Sequence, residues 1–161
     1  MEIERKAKDF KTLSKVVTRT DLESIFLSAC NVWRSLNALE YEEVGAEISF
    51  NGVLLEDHGD HFIAKATLSA KGQPKGRHPD KEVVSLECEY ILTYSLRDRE
   101  ELTIDDIKQF CHMNAVYNAW PYWREFLQNM SNRMELPVLT LPLLKFGQPK
   151  KKKDKNTKHS K

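Results

Sequence analysis

The chain has 161 residues, of which 40% are hydrophobic and 30% charged, and its formal net charge is +1. This length suits one domain of ordinary size, and the composition allows both a core and a solvated surface. No apolar run approaches the ~20 residues that a membrane span needs, and the charged N-terminus lacks the apolar region of a secretory signal. The three cysteines are scattered without a CxxC pair, which argues against a disulfide framework or a zinc site and predicts reduced thiols in a cytoplasmic protein.

The small net charge conceals an acidic body and a basic tail. Residues 150–161 (KKKKDKNTKHSK) carry a net charge of +6, which leaves −5 for residues 1–149. The tail has no apolar residue whose burial could offset the entropy of ordering, so residues 149–161 are predicted to be a disordered basic tail. Such a tail could bind nucleic acid through phosphate contacts, but the aromatic residues lie far from the lysines and the body is acidic. Nucleic acid is therefore a disfavoured partner.

Residues 21–36 (DLESIFLSACNVWRSL) form the first candidate element, and their pattern is ambiguous. Six apolar residues fit the spacing of a helix: Leu22, Ile25, Phe26, Ala29, Trp33 and Leu36. Four residues fit the alternation of a strand almost as well: Ile25, Leu27, Ala29 and Trp33. Periodicity alone cannot decide between the two at this length.

Three strands are predicted in the middle of the chain. Residues 46–55 and 61–70 alternate on either side of EDHGD (56–60), which predicts a β-hairpin with a short turn. A loop rich in glycine and proline follows at residues 71–80. Residues 83–97 then alternate over a long run with one apolar face, typical of a half-buried antiparallel strand: Val84, Leu86, Cys88, Tyr90, Leu92, Tyr94 and Leu96.

The pattern changes to helical spacing after this strand. Thr103, with Asp106 three residues later, resembles a capping box and predicts a helix start. Pro121 is favourable at the first position of a helix and harmful inside one, so a break is predicted at residues 118–120 and a second helix from Pro121. Phe126, Leu127 and Met130 are expected to pack this second helix against the sheet.

Residues 136–146 (LPVLTLPLLKF) are apolar but contain two prolines, so they are predicted to be extended and outside a central strand. Two interpretations fit the aromatic stretch 118–130 (NAWPYWREFLQNM) next to them. Aromatic residues at helical spacing usually pack into a core. Alternatively, the helix and the proline-stiffened loop form two walls of a groove that takes extended apolar peptide.

Two motifs lie within residues 103–146: PYWRE (121–125), at the start of a predicted helix, and PVLTL (137–141), in the loop. Their sequence and spacing resemble the C-terminal region of the SecB family of protein-export chaperones. The Leu-Pro-x-Leu-Thr-Leu form is similar to that of SecB-like chaperones associated with toxin–antitoxin systems.

The resemblance implies an α+β fold, with a four-stranded antiparallel sheet packed by two C-terminal helices. This fold needs a strand before the hairpin, so residues 24–34 are assigned to a strand. The implied organisation is an N-terminal extension at 1–20, a SecB-like domain at 21–148 and the tail at 149–161. The resemblance also implies a homotetramer built as a dimer of dimers, with the helix at 103–115 contributing to the interface.

The function implied is that of an ATP-independent holdase that binds unfolded polypeptides or preproteins and keeps them competent for export. Client-binding residues are expected in the last helix and the loop: Trp120, Tyr122, Trp123, Leu136, Val138, Leu139 and Leu141. Arg124 and Glu125 are expected to tie the helix to the loop. The alternative is a dedicated chaperone for one partner, such as an antitoxin. Because the tail is basic rather than acidic or neutral, contact with the SecA motor is in doubt.

The sequence contains few features that are typical of an active site. Residues 56–61 (EDHGDH) are of metal-ligating types, but they fall at a predicted turn, where Asp, His and Gly are common, and no metal is expected. Glu87 and Glu89 are expected on a solvated sheet face, and Cys88 is expected in the core rather than as a nucleophile. No phosphate-binding glycine loop is present, so no cofactor is predicted.

Overall fold

A computed structural model describes residues 2–4, 13–41, 43–74, 82–137, 139 and 141–147. Its elements, in chain order, are strand β1 (Glu2–Glu4), helix α1 (13–17), strands β2 (Thr20–Arg34), β3 (Val44–Asp57), β4 (His61–Pro74) and β5 (Val84–Leu96), helix α2 (Ile104–Phe110), a π-helical segment (Cys111–Ala115), helix α3 (Val116–Arg133) and strand β6 (Lys145–Gly147). The predicted α+β fold, with a four-stranded antiparallel sheet and two C-terminal helices, is confirmed.

The main sheet has the strand order β2-β5-β4-β3, and all three pairings are antiparallel. The predicted hairpin is formed by β3 and β4, and the strand predicted at 24–34 is also present, beginning earlier, at Thr20. Because β5 inserts between β4 and β2, the apolar strand β2 lies at the edge of the sheet.

One face of the sheet is covered by the helical run and forms the core. The alternating residues of β4 and β5 point towards the helices and are buried, whereas the opposite face carries polar pairs such as Lys65–Glu89. At the end of the sheet next to the β3–β4 turn, Phe62 stacks on Tyr94 with ring centroids 5.0 Å apart, and the ring of Phe110 is perpendicular to both. The expectation that Cys88 is a small core residue is confirmed, since its exposure is 0%.

The helical run approaches the sheet most closely at Gly52 of β3. A Cβ atom at this position would lie 2.2 Å from the backbone oxygen of Cys111, in the π-helical segment. The strand beside it, β4, presents the small residues Ala64, Ala66 and Ala70 on the same face. Any side chain at position 52 would collide with this backbone, so the glycine permits the close approach of the helical run to the sheet.

The prediction that the helix breaks before Pro121 is wrong. Pro121 lies inside α3, and the helical run continues from Ile104 to Arg133 with a π-helical segment in the middle. Two features explain the continuity. First, Pro121 is on the exposed side of the helix, where the loss of one backbone hydrogen bond costs the least free energy. Second, the buried residues Ala119, Trp120 and Trp123 hold the turns on either side of it. The capping box at Thr103 and Asp106 is present as predicted.

The N-terminal residues are connected to the main body. Val16 of α1 has an exposure of 0% within the core, and β1 pairs in parallel with β6 near the other end of the chain. Part of the predicted N-terminal extension therefore packs against the main body, and its division from the domain at residue 20 stays a prediction. The tail at 149–161 and most of the predicted loop at 71–80 lie outside the described residues.

Candidate functional site

A groove with a volume of about 380 Å³ lies between the edge strand β2 and helix α3, and it is open to solvent. The wall on the sheet side consists of Ile25, Phe26 and Leu27 of β2 with Tyr90 of β5. The wall on the helix side is an apolar stripe at i, i+4 spacing: Tyr122, Phe126 and Met130. A second stripe of α3, next to the first, adds polar groups at the rim: Glu125, Asn129 and Arg133.

The apolar side chains of β2 remain accessible because α3 does not extend over the edge of the sheet. Ile25 and Leu27 pair with Leu92 and Tyr90, so they project to the helix-covered face. Leu27 is nevertheless 43% exposed. Phe26 projects to the opposite face and is 55% exposed. A strand with large apolar side chains exposed on both faces is unusual for a surface, which makes β2 a candidate for contact with another chain.

Two tyrosines form an aromatic contact across the groove. The rings of Tyr90 and Tyr122 lie 6.3 Å apart, one on the sheet and one on the helix. Burial, together with the neighbouring Cys88, raises the pKa of Tyr90, so its phenol is neutral at physiological pH. Tyr122 is 48% exposed. The groove therefore offers aromatic surface with a neutral floor and charged groups only at its rim.

Two of the residues predicted to bind clients are buried instead. Trp120 and Trp123 have exposures of 2% and 0%. The indole nitrogen of Trp120 donates a hydrogen bond to the backbone oxygen of Pro142 at 3.0 Å, and its ring meets the ring of Phe50 edge-on. Trp120 therefore connects α3 to the sheet and to the following loop, while the buried ring of Trp123 stacks on Phe126. Neither indole offers surface to a client in this structure. Phe126 and Met130, which were predicted to pack the helix against the sheet, are only partly buried and face the groove.

The loop after α3 is held against the helix, as predicted for Arg124. The Nε atom of Arg124 donates a hydrogen bond to the backbone oxygen of Leu141 at 2.8 Å. Leu141 itself is only 7% exposed, Leu136 and Leu139 are partly buried, and Val138 lies outside the described residues. A smaller groove of about 230 Å³ runs between helix and loop, lined in part by Pro121, Leu139 and Leu141.

Of the predicted client-binding residues, the structure thus places Tyr122 in the larger groove and Leu139 and Leu141 beside the smaller one. The groove residues Ile25, Phe26 and Leu27 of β2 and Tyr90 of β5 were missed. The signal was present in the run Ile25-Phe26-Leu27, where consecutive apolar residues on a strand must expose one face. It was hidden because the same residues also fit a helix.

The charged and histidine side chains of the turn at 56–61 interact with one another and with Arg99. Asp57 pairs with Arg99 at 2.7 Å, and the hydrogen bond from that guanidinium lowers the pKa of Asp57. His58 and His61 stack on each other and contact Glu56 and Asp60. Across the described ranges, no group of three or more His, Cys, Asp or Glu side chains is arranged to hold a metal ion. No helix in the described part of the chain is long and apolar enough to cross a membrane.

Comparison with solved structures finds proteins with a similar fold. The SecB-like chaperone Rv1957 of Mycobacterium tuberculosis, in complex with a ChAD peptide from the HigA1 antitoxin, superposes with a TM-score of 0.71 at 16% sequence identity, over 85% of this chain and 99% of that one. A Streptococcus agalactiae protein of unknown function has a TM-score of 0.37 at 14% identity, over 76% of this chain and 96% of that one, too low to support an argument. No family model matches the sequence, and no curated protein matches it significantly. The first similarity shows a SecB-like fold.

Proposed function

We propose that this protein is a chaperone dedicated to one partner, such as an antitoxin, and that it holds an extended apolar segment of that partner in the groove between β2 and α3. The observation that carries the proposal is the 43% exposure of Leu27 opposite the aromatic wall of α3, beside the partly buried Ile25. Binding requires no nucleotide or cofactor, because burial of apolar surface supplies the free energy.

The dimensions and chemistry of the groove support this class of ligand. Its volume of about 380 Å³ falls in the range of ligand sites, ~300–1,000 Å³. Each large apolar side chain that becomes fully buried contributes roughly 1.5–3 kcal/mol before ordering costs are subtracted. Glu125, Asn129 and Arg133 line one rim with groups of both charge signs and a neutral amide. These groups can orient a bound chain and make the site more selective than an apolar surface alone.

The SecB-like fold gives a reason to favour one partner over many. One solved chaperone with this fold, Rv1957, is in complex with a peptide from an antitoxin. By analogy of fold, an apolar segment of an antitoxin is the ligand class that we propose for this chain. The analogy concerns the kind of ligand, and the position of the groove is argued from the residues of this chain alone.

The test is capture of partners by the tagged protein in cells of its native organism, with variants of each wall of the groove. One dominant polypeptide should be recovered with wild type and lost with Leu27→Asp and with Tyr122→Ser. Tyr117→Ser is the matched control, because Tyr117 is on the same helix with a similar exposure, 45% against 48%, and does not line the groove. All three variants should melt like wild type. Equal capture by the wall variants and wild type would refute the groove.

A general holdase for export is the second candidate, supported by the breadth of the exposed apolar surface on β2. It predicts that many polypeptides are captured and that aggregation of unrelated unfolded proteins is suppressed. An unfolded probe, reduced and carboxymethylated α-lactalbumin, separates the two functions. Submicromolar binding to this probe favours the general holdase. Weak binding together with one dominant captured partner favours the dedicated chaperone.

A homotetramer in the cytoplasm remains part of the proposal. Three of the residues expected at its interface, Ile107, Phe110 and Cys111, are buried within the chain itself, and only Ile104 remains exposed. The exposed apolar residues at the edges of the sheet are the better candidates: Leu22, Trp33, Val44 and Val53. Light scattering should report about four times 18.7 kDa, and a monomer at micromolar concentration would refute the assembly.

A further inference from the structure

Two cysteines lie directly opposite each other in the sheet. Cys30 of β2 is the register partner of Cys88 of β5, and both thiols are free. Directly opposite residues of an antiparallel pair project to the same face, with Cα atoms about 4.5 or 5.5 Å apart, depending on the hydrogen-bonding class of the pair. Both distances fall within the span of roughly 4.4–6.8 Å that a disulfide bridges. The backbone therefore needs no rearrangement to bring the two sulfur atoms together.

The two thiols differ in accessibility. Cys30 is exposed at the sheet edge, whereas Cys88 is fully buried beneath the helices. Burial, with the neighbouring Cys30 as a second cause, raises the pKa of Cys88 to about 12. An oxidant in solution therefore meets Cys30 first, and Cys88 acts as the second partner from inside the core.

We propose that Cys30 and Cys88 form a reversible dithiol–disulfide site, oxidised by peroxide, that cross-links the edge strand to the interior of the sheet. The sulfur of Cys30 attacks hydrogen peroxide, the O–O bond breaks, and a sulfenic acid forms with release of water. Cys88 then loses its proton to the solvent, its thiolate sulfur attacks the sulfur of Cys30, the S–O bond breaks, and the departing hydroxide takes a proton from the solvent to give a second water. The two thiols lose two electrons, and the peroxide is reduced.

The cross-link has a structural consequence that does not depend on the proposed function. Within the main sheet, β2 pairs only with β5, and a register shift between Leu27 and Ala29 interrupts this pairing just before Cys30. Edge strands open locally more readily than central ones. A disulfide at this point prevents β2 from separating from β5 beside the bulge.

The experiment treats the reduced, purified full-length chain with hydrogen peroxide and maps the products by mass spectrometry. The expected product is a monomer that has lost two hydrogen atoms and contains a peptide linking Cys30 to Cys88. Cys30→Ser should abolish it, and Cys88→Ala should leave a sulfenic acid on Cys30 that dimedone traps. Cys111→Ser is the control. Cys111 is buried under β3, at the opposite edge of the sheet, so its replacement should leave the linkage intact.

Because the buried thiol must lose its proton, closure of the disulfide from the sulfenic acid should accelerate about tenfold per pH unit between pH 7 and 9. Hydrogen exchange of residues 29–31 should slow at least severalfold on oxidation and recover on reduction. A product consisting of Cys30–Cys30 dimers, or of a Cys30 sulfinic acid without the internal link, would overturn the proposal. Cys30→Ser changes an exposed residue, so this test stands even if Cys88→Ala fails to fold.

Discussion

Strands β5 and β2 are paired along nearly their whole length, yet their side chains on the same face have opposite fates. Tyr94 and Tyr90 of β5 are 1% and 4% exposed, while their register partners Leu22 and Leu27 on β2 are 42% and 43% exposed. Both strands are apolar on this face, so hydrophobicity does not explain the difference. The helical run covers the sheet from β3 to β5 and stops before β2.

The comparison shows where the core ends. Residues under the helices hold the fold together, and residues of similar chemistry one strand further out remain exposed, as the proposed groove requires. Substitutions on the two sides should therefore separate stability from binding.

The largest effect is expected where the helices touch the sheet. Gly52→Val should cost more than about 4 kcal/mol of unfolding free energy and prevent folding, because its side chain would collide with backbone atoms of the π-helical segment that cannot move aside. Asn51→Val, one residue away on the outer face, should fold normally. Circular dichroism and urea unfolding measure both variants, and a folded Gly52→Val protein would show that the helices do not rest on this glycine.

The second test compares tryptophans on the two sides. Trp123→Ala should lower the unfolding free energy by about 3–4 kcal/mol through loss of a fully buried side chain. Trp33→Ala on β2, where the side chain is 48% exposed, should cost less than about 1 kcal/mol. Acrylamide should quench the fluorescence of Trp33 and spare that of Trp120 and Trp123. Equal quenching of all three would mean that α3 is not packed as described.

The third test compares two ion pairs. Asp57 and Arg99, 2.7 Å apart, are largely shielded, whereas Asp21 and Arg97, 3.3 Å apart, are mostly exposed at β2. At pH 7, Asp57→Asn should cost about 1–2 kcal/mol, and Asp21→Asn should cost less than about 0.5 kcal/mol.

The pH dependence of the unfolding free energy follows from the lowered pKa of Asp57. A depressed carboxyl pKa in the folded state stabilises the protein above about pH 4, and this contribution disappears as the pH falls through the lowered value. The difference between wild type and Asp57→Asn should therefore shrink between pH 5 and pH 2 in chemical unfolding experiments. A constant difference across this range would assign the effect to packing rather than to the ion pair.

The smallest stability effect is expected on β2. Phe26→Ser should change the unfolding free energy by less than about 0.5 kcal/mol, because the side chain is 55% exposed and packs little. The same variant should bind less of a hydrophobic dye such as ANS at neutral pH, since it removes exposed apolar surface. A loss of stability comparable to that of Trp123→Ala would place Phe26 in the core and remove it from the groove.

Much of the fold could be predicted from local pattern. The alternation from Val84 to Leu96, the hairpin around residues 56–60 and the cap at Thr103 depend on neighbours in sequence, and all three are present. The choice of a strand for residues 24–34 needed the family resemblance, because the spacing of its apolar residues fits a helix almost as well.

The candidate site was harder to predict. Periodicity identified the residues of α3 that share a face, but it could not tell which face is covered, and so Trp120 and Trp123 were expected in the groove in place of Phe126 and Met130. Pro121 was assigned to a helix start from local rules, and packing on both sides of it overrode them. The groove itself joins residues about 100 positions apart, such as Leu27 and Tyr122, so no short-range pattern contains it.

The sequence by itself determined strands β3 to β5 and the helix start at Thr103, because helix capping and side-chain alternation act between residues near one another in the chain. The strand at 24–34 and the tie between Arg124 and the loop needed the family resemblance. Only the tertiary structure decided that the helical run contacts the sheet at Gly52, that Cys30 faces Cys88 and that no helix covers β2. These features depend on strand order and on where the helical cover stops, which are set by the fit of whole elements against one another.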